Sequence, residues 1–381
     1  MTNNPISIYI HIPFCKTRCG YCDFLTCHGN THLYKPYKDA LIKEIAAYEN
    51  LHHHTINTIF IGGGTPTVLP PDFLWEILEA VYKYPISPRA EISIEANPGT
   101  LNRVVLRTLK NAGVNRLSIG LQAWQNKVLK SIDRSHTLED FVINYENARR
   151  LGFNNINLDL IFSLPYMKSE KLAFKNWRET LKNVATLNPE HISVYSLIIE
   201  ENTPFYRAYE EGLLIPQSQE DDRRMYHFAG NYLGKKGYAQ YEISNFAKRG
   251  KACTHNINYW KRGEYKGFGI GAHSFTKNQR YNNIKDIHQY ISTSPKNIIE
   301  EKIFIDAKAA MEEFMFLGLR LTKGVKKEEF KETFSLEINE VFGKPIEENI
   351  KMGLLREEGG RLMLTKEGRD VSNRVMGEFL L

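Results

Sequence analysis

A chain of 381 residues is longer than a single hydrophobic core usually serves, so we expect one large domain and a smaller one. Its 50 basic and 44 acidic residues give a net charge of +6 spread along the chain, which argues against a nucleic-acid partner. Five cysteines, an odd number, argue against a disulfide framework and favour a reducing compartment. The sequence has no signal-peptide pattern and no apolar run of about 18 residues, so we expect a cytoplasmic protein.

Short β-rich stretches alternate with helical patterns from residue 6 to about residue 201. This alternation is typical of repeated βα units and predicts an α/β fold with a parallel sheet. Repeated right-handed crossovers curl such a sheet into a barrel or part of one, although a doubly wound order also fits the periodicity. The predicted strands are 7–12, 58–61, 91–95, 116–120, 155–162 and 191–198.

Capping residues and glycines in the sequence mark the ends of two helices between these strands. Thr100 is predicted to cap a helix that stops at Gly113. Thr137 and Asp140 form a capping-box pattern at the start of a helix that ends at Gly152.

The sequence pattern changes after about Glu220. Stretches rich in tyrosine, glycine and asparagine lack long helical periodicity, and a helical segment then follows at 307–321. The lysine-rich and glutamate-rich tail ends in a small helix-and-hairpin unit at 354–366, which indicates a separate α+β module of winged-helix type. We therefore predict three parts, a barrel domain at 1–220, an extension at 221–300 and a C-terminal domain at 301–381.

Three cysteines lie near the start of the chain, in the pattern Cys15-Lys-Thr-Arg-Cys19-Gly-Tyr-Cys22. Three thiolates at this spacing can bind three irons of a 4Fe-4S cluster and leave the fourth iron open to an exchangeable ligand. A zinc site with Cys27 as fourth ligand, or a set of unrelated buried thiols, is an alternative. Zinc sites usually pair two short Cys-x2-Cys arms, and the sequence has no second arm.

Unusual residues follow the predicted strands, where ligands bind in parallel α/β sheets. The second strand runs into a glycine-rich turn, residues 62–67, whose backbone can approach a ligand closely. The third presents Glu95, the fourth Gln122 with Arg134 twelve residues on, and the fifth Asp159. Each alone could be a cap, a turn or an ion pair, but together they predict a polar ligand site.

The cysteine pattern, with Tyr21 as the aromatic residue before its last member, resembles the radical S-adenosylmethionine superfamily. The strand-end segments narrow the resemblance to its oxygen-independent coproporphyrinogen oxidase branch, which implies a partial barrel of about six βα units. Ser163 departs from the pattern, because relatives usually carry glycine there. The resemblance implies that Cys15, Cys19 and Cys22 bind the cluster. It places around S-adenosylmethionine the residues Tyr9, Phe24, Gly63, Gly64, Thr65, Glu95, Gln122, Arg134 and Asp159.

The segment His255-Asn-Ile-Asn-Tyr259-Trp260 has every fixed position of a His-Asn-x-x-Tyr-Trp motif and resembles the HemW-type heme chaperones. A neutral imidazole is a good axial iron ligand, and the two aromatic side chains offer apolar faces to a porphyrin. We therefore predict His255, Tyr259 and Trp260 as heme-binding residues. Cys253 and His273 are alternative heme ligands, and a His beside two aromatics is otherwise an ordinary loop residue.

These resemblances predict a heme chaperone that carries a 4Fe-4S cluster and S-adenosylmethionine and delivers heme to an acceptor protein. The alternative is oxygen-independent coproporphyrinogen III oxidase, whose members resemble Cys-x3-Cys-x2-Cys-x-Cys, whereas Phe24 stands at the last position here. A third class is another radical enzyme with heme as regulator. The resemblance further implies a respiratory protein as one candidate acceptor, contact with a membrane surface, and a homodimer.

Overall fold

The computed structural model describes residues 4–165 and 170–381 and has a parallel sheet at its centre. Neighbouring strands pair parallel throughout, from Asn4 opposite His54 to Phe162 opposite Ser196. Their order in space equals their order in the chain, so the doubly wound alternative is wrong, because that arrangement requires a reversal of strand order. The strands are β1 (Asn4–Ile12), β2 (His54–Gly63), β3 (Ile86–Ala96), β4 (Arg116–Gln122), β5 (Ile156–Phe162) and β6 (His191–Ser196).

The strands form where the sequence is apolar on both faces. Every residue of β4 is buried, and β5 is buried except at Asp159. Such strands suit a sheet that helices cover on one face and that encloses side chains on the other. The prediction of an α/β fold with six parallel strands is confirmed.

Helices connect the strands and cover the outside of the sheet. The capping box of Thr137 and Asp140 is present. The prediction for Thr100 is wrong, because Asn102 accepts the backbone N–H groups at the helix start, while the Thr100 hydroxyl donates to Asn97. The helices are α1 (Tyr34–Ala47), α2 (Pro71–Val81), α3 (Arg103–Asn111), α4 (Asn126–Ser131), α5 (Leu138–Arg150), α6 (Glu170–Leu187), α7 (Pro204–Glu210) and α8 (Gln219–Lys235).

Helix α8 was not expected, because the sequence beyond Glu220 lacks an obvious helical period. Its buried face consists of Met225, Tyr226, Ala229 and Leu233, a narrow apolar stripe in a polar segment. The rest of the extension adds strands to both edges of the parallel sheet. These are β7 (Ala239–Gln240) and β8 (Asn245–Ala247) beside β6, and β9 (Tyr265–Phe268), β10 (His273–Thr276), β11 (Gln279–Asn283) and β12 (Ile299–Phe304) beside β1.

A short helix, α9 (Thr254–Trp260), carries the His-Asn-x-x-Tyr-Trp motif and lies between these two groups of strands in the chain. The carboxylate of Glu91 accepts hydrogen bonds from the backbone N–H groups of Thr254 and His255, at 2.9 and 3.2 Å. Glu91 thus satisfies free donors at the helix start and fixes α9 to β3. Helix α10 (Ile287–Ser292) follows β11.

The C-terminal part has its own core around Phe330, Phe342 and Phe379. A buried carboxylate, Glu313, joins it to the extension through ion pairs with Arg262 and Arg280 at 2.8 and 2.6 Å. The predicted hairpin is present. The elements are α11 (Ala307–Gly318), β13 (Val325–Lys326), α12 (Lys327–Phe334), α13 (Ile338–Lys351), β14 (Leu355–Glu358), β15 (Arg361–Leu364), α14 (Lys366–Asp370) and α15 (Ser372–Gly377).

Among residues 4–165 and 170–381, no helix combines the length and the apolar character needed to cross a membrane.

Candidate functional site

A cavity of about 350 Å³ opens at the carboxyl ends of the parallel strands. It brings together residues from the cysteine loop, the glycine-rich turn and the ends of β3, β4 and β5, which are far apart in the chain. Of the residues predicted to bind the cluster or S-adenosylmethionine, it is lined by Cys15, Cys19, Cys22, Phe24, Gly63, Gly64, Thr65, Glu95, Gln122, Arg134 and Asp159.

The three cysteines at this cavity are free thiols. Arg134 Nη1 lies 3.4 Å from the Cys19 sulfur, and the Thr65 hydroxyl lies 3.6 Å from the Cys15 sulfur. Burial raises the pKa of Cys15 and of Cys22, and the charge of Arg134 partly opposes this rise at Cys15. The three thiols therefore suit a group that is itself positively charged, because that charge favours their ionised form.

In the described ranges, no three His, Cys, Asp or Glu side chains are close enough to share one metal ion. A 4Fe-4S cluster does not need such convergence, because each cysteine binds a different iron. Cys27, the alternative fourth ligand, does not line the cavity. It lies in a two-residue strand that pairs with Phe14 and Cys15. The arrangement fits a cluster better than it fits a four-ligand zinc site.

The glycine-rich turn brings backbone close to the cavity floor. Gly63 has a φ of +113°, and a side chain there would meet the His11 ring at 2.6 Å, so both conformation and space require glycine. Its N–H group donates to Glu95 Oε2 at 3.0 Å. Burial, together with the nearby carboxylate of Asp159, raises the pKa of Glu95 to about 8. Glu95 is thus poised to bind hydroxyl groups in either protonation state.

Among the side chains predicted to bind S-adenosylmethionine, two have buried atoms without partners in the described residues. These atoms are Gln122 Oε1 and Arg134 Nε. Gln122 also has a φ of +68°, a left-handed conformation that is uncommon for a residue with a side chain. Unsatisfied buried groups and local strain are typical of ligand sites, because a ligand completes the missing hydrogen bonds. The donors and acceptors present fit the amino, carboxyl and ribose groups of S-adenosylmethionine.

Ser163, the departure noted in the sequence, has a φ of +57°. Glycine adopts this left-handed conformation freely because it has no Cβ atom. In serine the Cβ atom comes close to the next carbonyl oxygen, which costs free energy. The Ser163 hydroxyl donates to Asp222 Oδ2 at 2.7 Å, and this hydrogen bond offsets part of that cost. The backbone therefore keeps the conformation that a glycine would adopt.

A second, smaller cavity of about 160 Å³ lies deeper between the strands and shares Glu95 and Asp159 with the first. Tyr9 lines this inner chamber and not the first cavity, which we call the outer cavity. Of the other residues predicted to bind S-adenosylmethionine, Tyr9 shares the chamber with Glu95 and Asp159 alone. Its hydroxyl lies 3.0 Å from His11 Nδ1. His255 also lines the chamber.

The imidazole of His255 is 1% exposed, and both of its nitrogens have partners. Nδ1 lies 2.7 Å from the Thr58 hydroxyl, and Nε2 lies 2.9 Å from the Tyr259 hydroxyl. Burial, assisted by the charge of Arg116, lowers the pKa of His255 to about 3, so the ring is neutral. A neutral ring is what iron requires, but coordination would take one nitrogen from its present partner.

The side chains of the motif lie on two different sides of α9. His255 and Tyr259 are one helical turn apart and both line the inner chamber. Trp260 lines a different, larger cavity outside the sheet, and the guanidinium of Arg320 lies 4.4 Å from its ring centre. Five helical residues correspond to a rotation of about 140° between His255 and Trp260. A single flat ligand therefore cannot contact both side chains while α9 is in this position.

The two alternative heme ligands, Cys253 and His273, differ in their burial. Cys253 is fully buried, its sulfur lies 3.4 Å from Glu91 Oε1, and burial raises its pKa to about 12. It is thus a protonated, structural thiol. His273 is exposed at the start of β10.

Arg116 is a functional candidate that the sequence did not indicate. Its side chain is 2% exposed, lines the inner chamber, and has an Nε atom without a partner among the described residues. A charged residue at the start of an otherwise uncharged strand is the signal that could have identified it. Thr58 was also missed, because its contact with His255 spans 197 residues of sequence.

Comparison with known proteins tests these interpretations. Residues 9–174 match the radical SAM superfamily, and residues 305–371 match the HemN C-terminal domain. The heme chaperone HemW of Bacillus subtilis is 37% identical, over 98% of this chain and 99% of that protein. The chain belongs to the HemW family. The HemW proteins of Lactococcus lactis and Escherichia coli are 36% and 33% identical, with 100% and 99% of this chain covered and 99% and 98% of those proteins.

Membership of the HemW family confirms the resemblance on which the sequence-based predictions depend. The structure of Escherichia coli coproporphyrinogen III oxidase, described as a radical SAM enzyme, matches with a TM-score of 0.85 over 99% of this chain and 90% of that chain. The TM-score shows a common fold, and at a sequence identity of 23% the similarity shows the fold alone. The predicted radical SAM architecture with a distinct C-terminal domain is therefore confirmed.

Proposed function

We propose that this protein binds heme and delivers it to an acceptor protein. The observation that carries the proposal is its full-length similarity to proteins named heme chaperone HemW. The complete His-Asn-x-x-Tyr-Trp motif on α9 supports it. We assign His255, Tyr259 and Trp260 to heme binding. Iron coordination by His255 would require release of its Nε2 from the Tyr259 hydroxyl. Contact of the same heme with Trp260 would also require a movement of α9, because the two side chains line different cavities.

The outer cavity would hold a 4Fe-4S cluster and S-adenosylmethionine. Cys15, Cys19 and Cys22 would bind the cluster, and such a cluster with one open iron supplies electron-transfer chemistry. Gly63, Gly64, Thr65, Glu95, Gln122, Arg134 and Asp159 would position S-adenosylmethionine, with Phe24 at the rim and Tyr9 in the chamber beneath. The unpartnered Gln122 Oε1 and Arg134 Nε atoms support this assignment.

Coproporphyrinogen III oxidase activity is not proposed, although the fold is shared with that enzyme. Phe24 stands where a further cysteine is expected in the oxidases, and its side chain is 61% exposed at the cavity rim. The acceptor protein, a cytoplasmic location, contact with a membrane surface and a homodimer stay predictions.

The proposal is tested by anaerobic hemin titration of the purified protein, followed by absorbance in the Soret region. We expect saturable, stoichiometric binding by the wild type. His255→Ala should weaken heme binding and leave the iron and sulfide content of the reconstituted cluster unchanged. His53→Ala, which removes an exposed histidine outside the motif, is the matched control. Absence of heme binding by the wild type would contradict the function. Unchanged binding and an unchanged spectrum for His255→Ala would contradict the assigned ligand.

A further inference from the structure

A series of hydrogen bonds joins the outer cavity to the start of the motif helix α9. It begins at Asp159, which lines that cavity, and it ends at Cys253, the residue that precedes α9. The side chains between them are Asn157, His191 and Tyr241, and we call these five residues the relay. Asn157 and His191 are 1% and 0% exposed, so solvent does not compete for their hydrogen bonds.

The contacts of the relay are all within hydrogen-bond distance. Asn157 Nδ2 donates to Asp159 Oδ1 at 2.8 Å. His191 Nδ1 lies 2.6 Å from Asn157 Oδ1, and His191 Nε2 lies 2.8 Å from the Tyr241 hydroxyl. The backbone N–H of Cys253 donates to the Tyr241 oxygen at 3.3 Å. The relay therefore runs without a gap from a predicted ligand-binding carboxylate to the backbone that begins α9.

The donors of the relay all point towards Asp159. Burial lowers the pKa of His191 well below its usual value, so the ring is neutral and carries one proton. The amide oxygen of Asn157 can only accept, which places that proton on His191 Nδ1. His191 Nε2 then accepts from the Tyr241 hydroxyl, whose oxygen accepts from the backbone at the start of α9. Hydrogen bonds aligned in this way polarise one another, and the carboxylate at their end strengthens them.

Helix α9 has to move when heme binds to the motif, because His255 and Trp260 line different cavities. In its present position the start of α9 is held by Glu91, by Thr58 and by the relay. Neither Glu91 nor Thr58 lines the outer cavity, whereas the relay ends there. The relay is thus the contact through which a ligand in the outer cavity can change the position of α9.

We propose that the relay couples the outer cavity to the motif helix, so that the affinity for heme rises when S-adenosylmethionine is bound. This rests on the proposed function and adds its regulation. A ligand that donates hydrogen bonds to Asp159 shares the carboxylate with Asn157, which weakens the relay and loosens the start of α9. Because such coupling is reciprocal, bound heme raises the affinity for S-adenosylmethionine by the same factor.

The test is an anaerobic hemin titration of the reconstituted full chain with and without S-adenosylmethionine, in the absence of a reductant. We expect the wild type to bind hemin about fivefold more tightly when S-adenosylmethionine is present. Tyr241→Phe keeps the ring and removes the hydroxyl, so it should bind hemin as tightly as the S-adenosylmethionine-bound wild type under both conditions. Tyr238→Phe is the matched control, because its buried hydroxyl donates to Pro189 outside the relay. It should keep the fivefold effect.

Hydrogen exchange of the wild type adds a measurement that depends on no variant. The backbone amides of residues 253–260 should exchange faster when S-adenosylmethionine is bound, before any heme is added. Unchanged exchange, an unchanged hemin affinity, or an equal effect of S-adenosylmethionine in Tyr241→Phe would overturn the coupling and leave the proposed function standing. If the wild type binds no hemin under either condition, the proposed function itself fails.

Discussion

The Thr58 hydroxyl and His255 Nδ1 lie 2.7 Å apart, although 197 residues separate them in the chain. This hydrogen bond joins the motif helix α9 to strand β2 inside the sheet. It therefore fixes the start of α9 and, through the helix, the position of Trp260 at the larger cavity outside the sheet. The position of the motif thus depends on a buried polar contact as well as on apolar packing.

Replacing Thr58 with valine tests this contact. Valine has nearly the same shape but leaves His255 Nδ1 buried without a partner, which costs about 1 to 3 kcal/mol. We expect the free energy of unfolding to fall by that amount, measured from urea denaturation midpoints at constant slope. Thr186→Val, on the exposed face of α6, is the control and should change stability little. A loss of stability no larger than that of the control would contradict the stabilising role that we assign to the hydrogen bond between Thr58 and His255.

The cluster assignment predicts a sharp difference among cysteines. Cys15→Ala, Cys19→Ala and Cys22→Ala should each lose most of the iron and sulfide that the wild type retains after anaerobic reconstitution, about four irons per chain. Cys27→Ala should retain wild-type content, because Cys27 lies outside the cavity. An equal loss in the Cys27 variant would instead indicate a site with four thiol ligands.

Arg134 is predicted to affect S-adenosylmethionine binding more than cluster assembly. Its side chain contacts Cys19 and donates to the Gly120 carbonyl at 2.7 Å, and its Nε remains available. Arg134→Gln removes a charged donor, and we expect affinity for S-adenosylmethionine to fall about tenfold, as lost charge-assisted hydrogen bonds usually cause. Calorimetric titration of reconstituted protein at equal cluster content measures this. Arg150→Gln, an exposed arginine on α5, is the control, and equal affinity in both variants would refute the assignment.

The raised pKa of Glu95 predicts a pH-dependent stability in the cluster-free protein. Its pKa is about 8 when folded and about 4.3 in an unfolded chain, so the folded protein binds more protons between these values. The contribution of Glu95 to stability is therefore fully present below pH 4.3 and is lost as the pH rises through 8. Glu95→Gln should remove this dependence, and the stability difference from wild type should change by about 1.4 kcal/mol per pH unit. Parallel stability curves from pH 5 to 8 would contradict the shifted pKa.

Much of the fold could be predicted from sequence because its signals are local. The parallel strands have continuous apolar cores, and the capping box of Thr137 and Asp140 spans four residues. The strand-end residues of the outer cavity were predictable for a related reason, since parallel strands deliver their carboxyl ends to one edge. Helix α8 was missed because its apolar stripe is narrow.

The larger cavity beside Trp260 could not be predicted, because its cationic residues come from segments far apart in the chain. Lys261 follows α9, Lys323 precedes β13, and Arg361 begins β15. Only the packing of the C-terminal domain against the motif helix brings them together. The sequence also did not predict that the motif residues line two different cavities, because the residue pattern does not indicate which face of the helix is buried.

The most direct test of the central claim follows heme and product in the same anaerobic experiment. The reconstituted protein receives hemin, and in a separate sample it receives coproporphyrinogen III with S-adenosylmethionine and a reductant. We predict stoichiometric heme binding in the first sample and no decarboxylated product in the second. Turnover of coproporphyrinogen III to protoporphyrinogen, without retention of heme, would contradict the account and identify the protein as an oxidase.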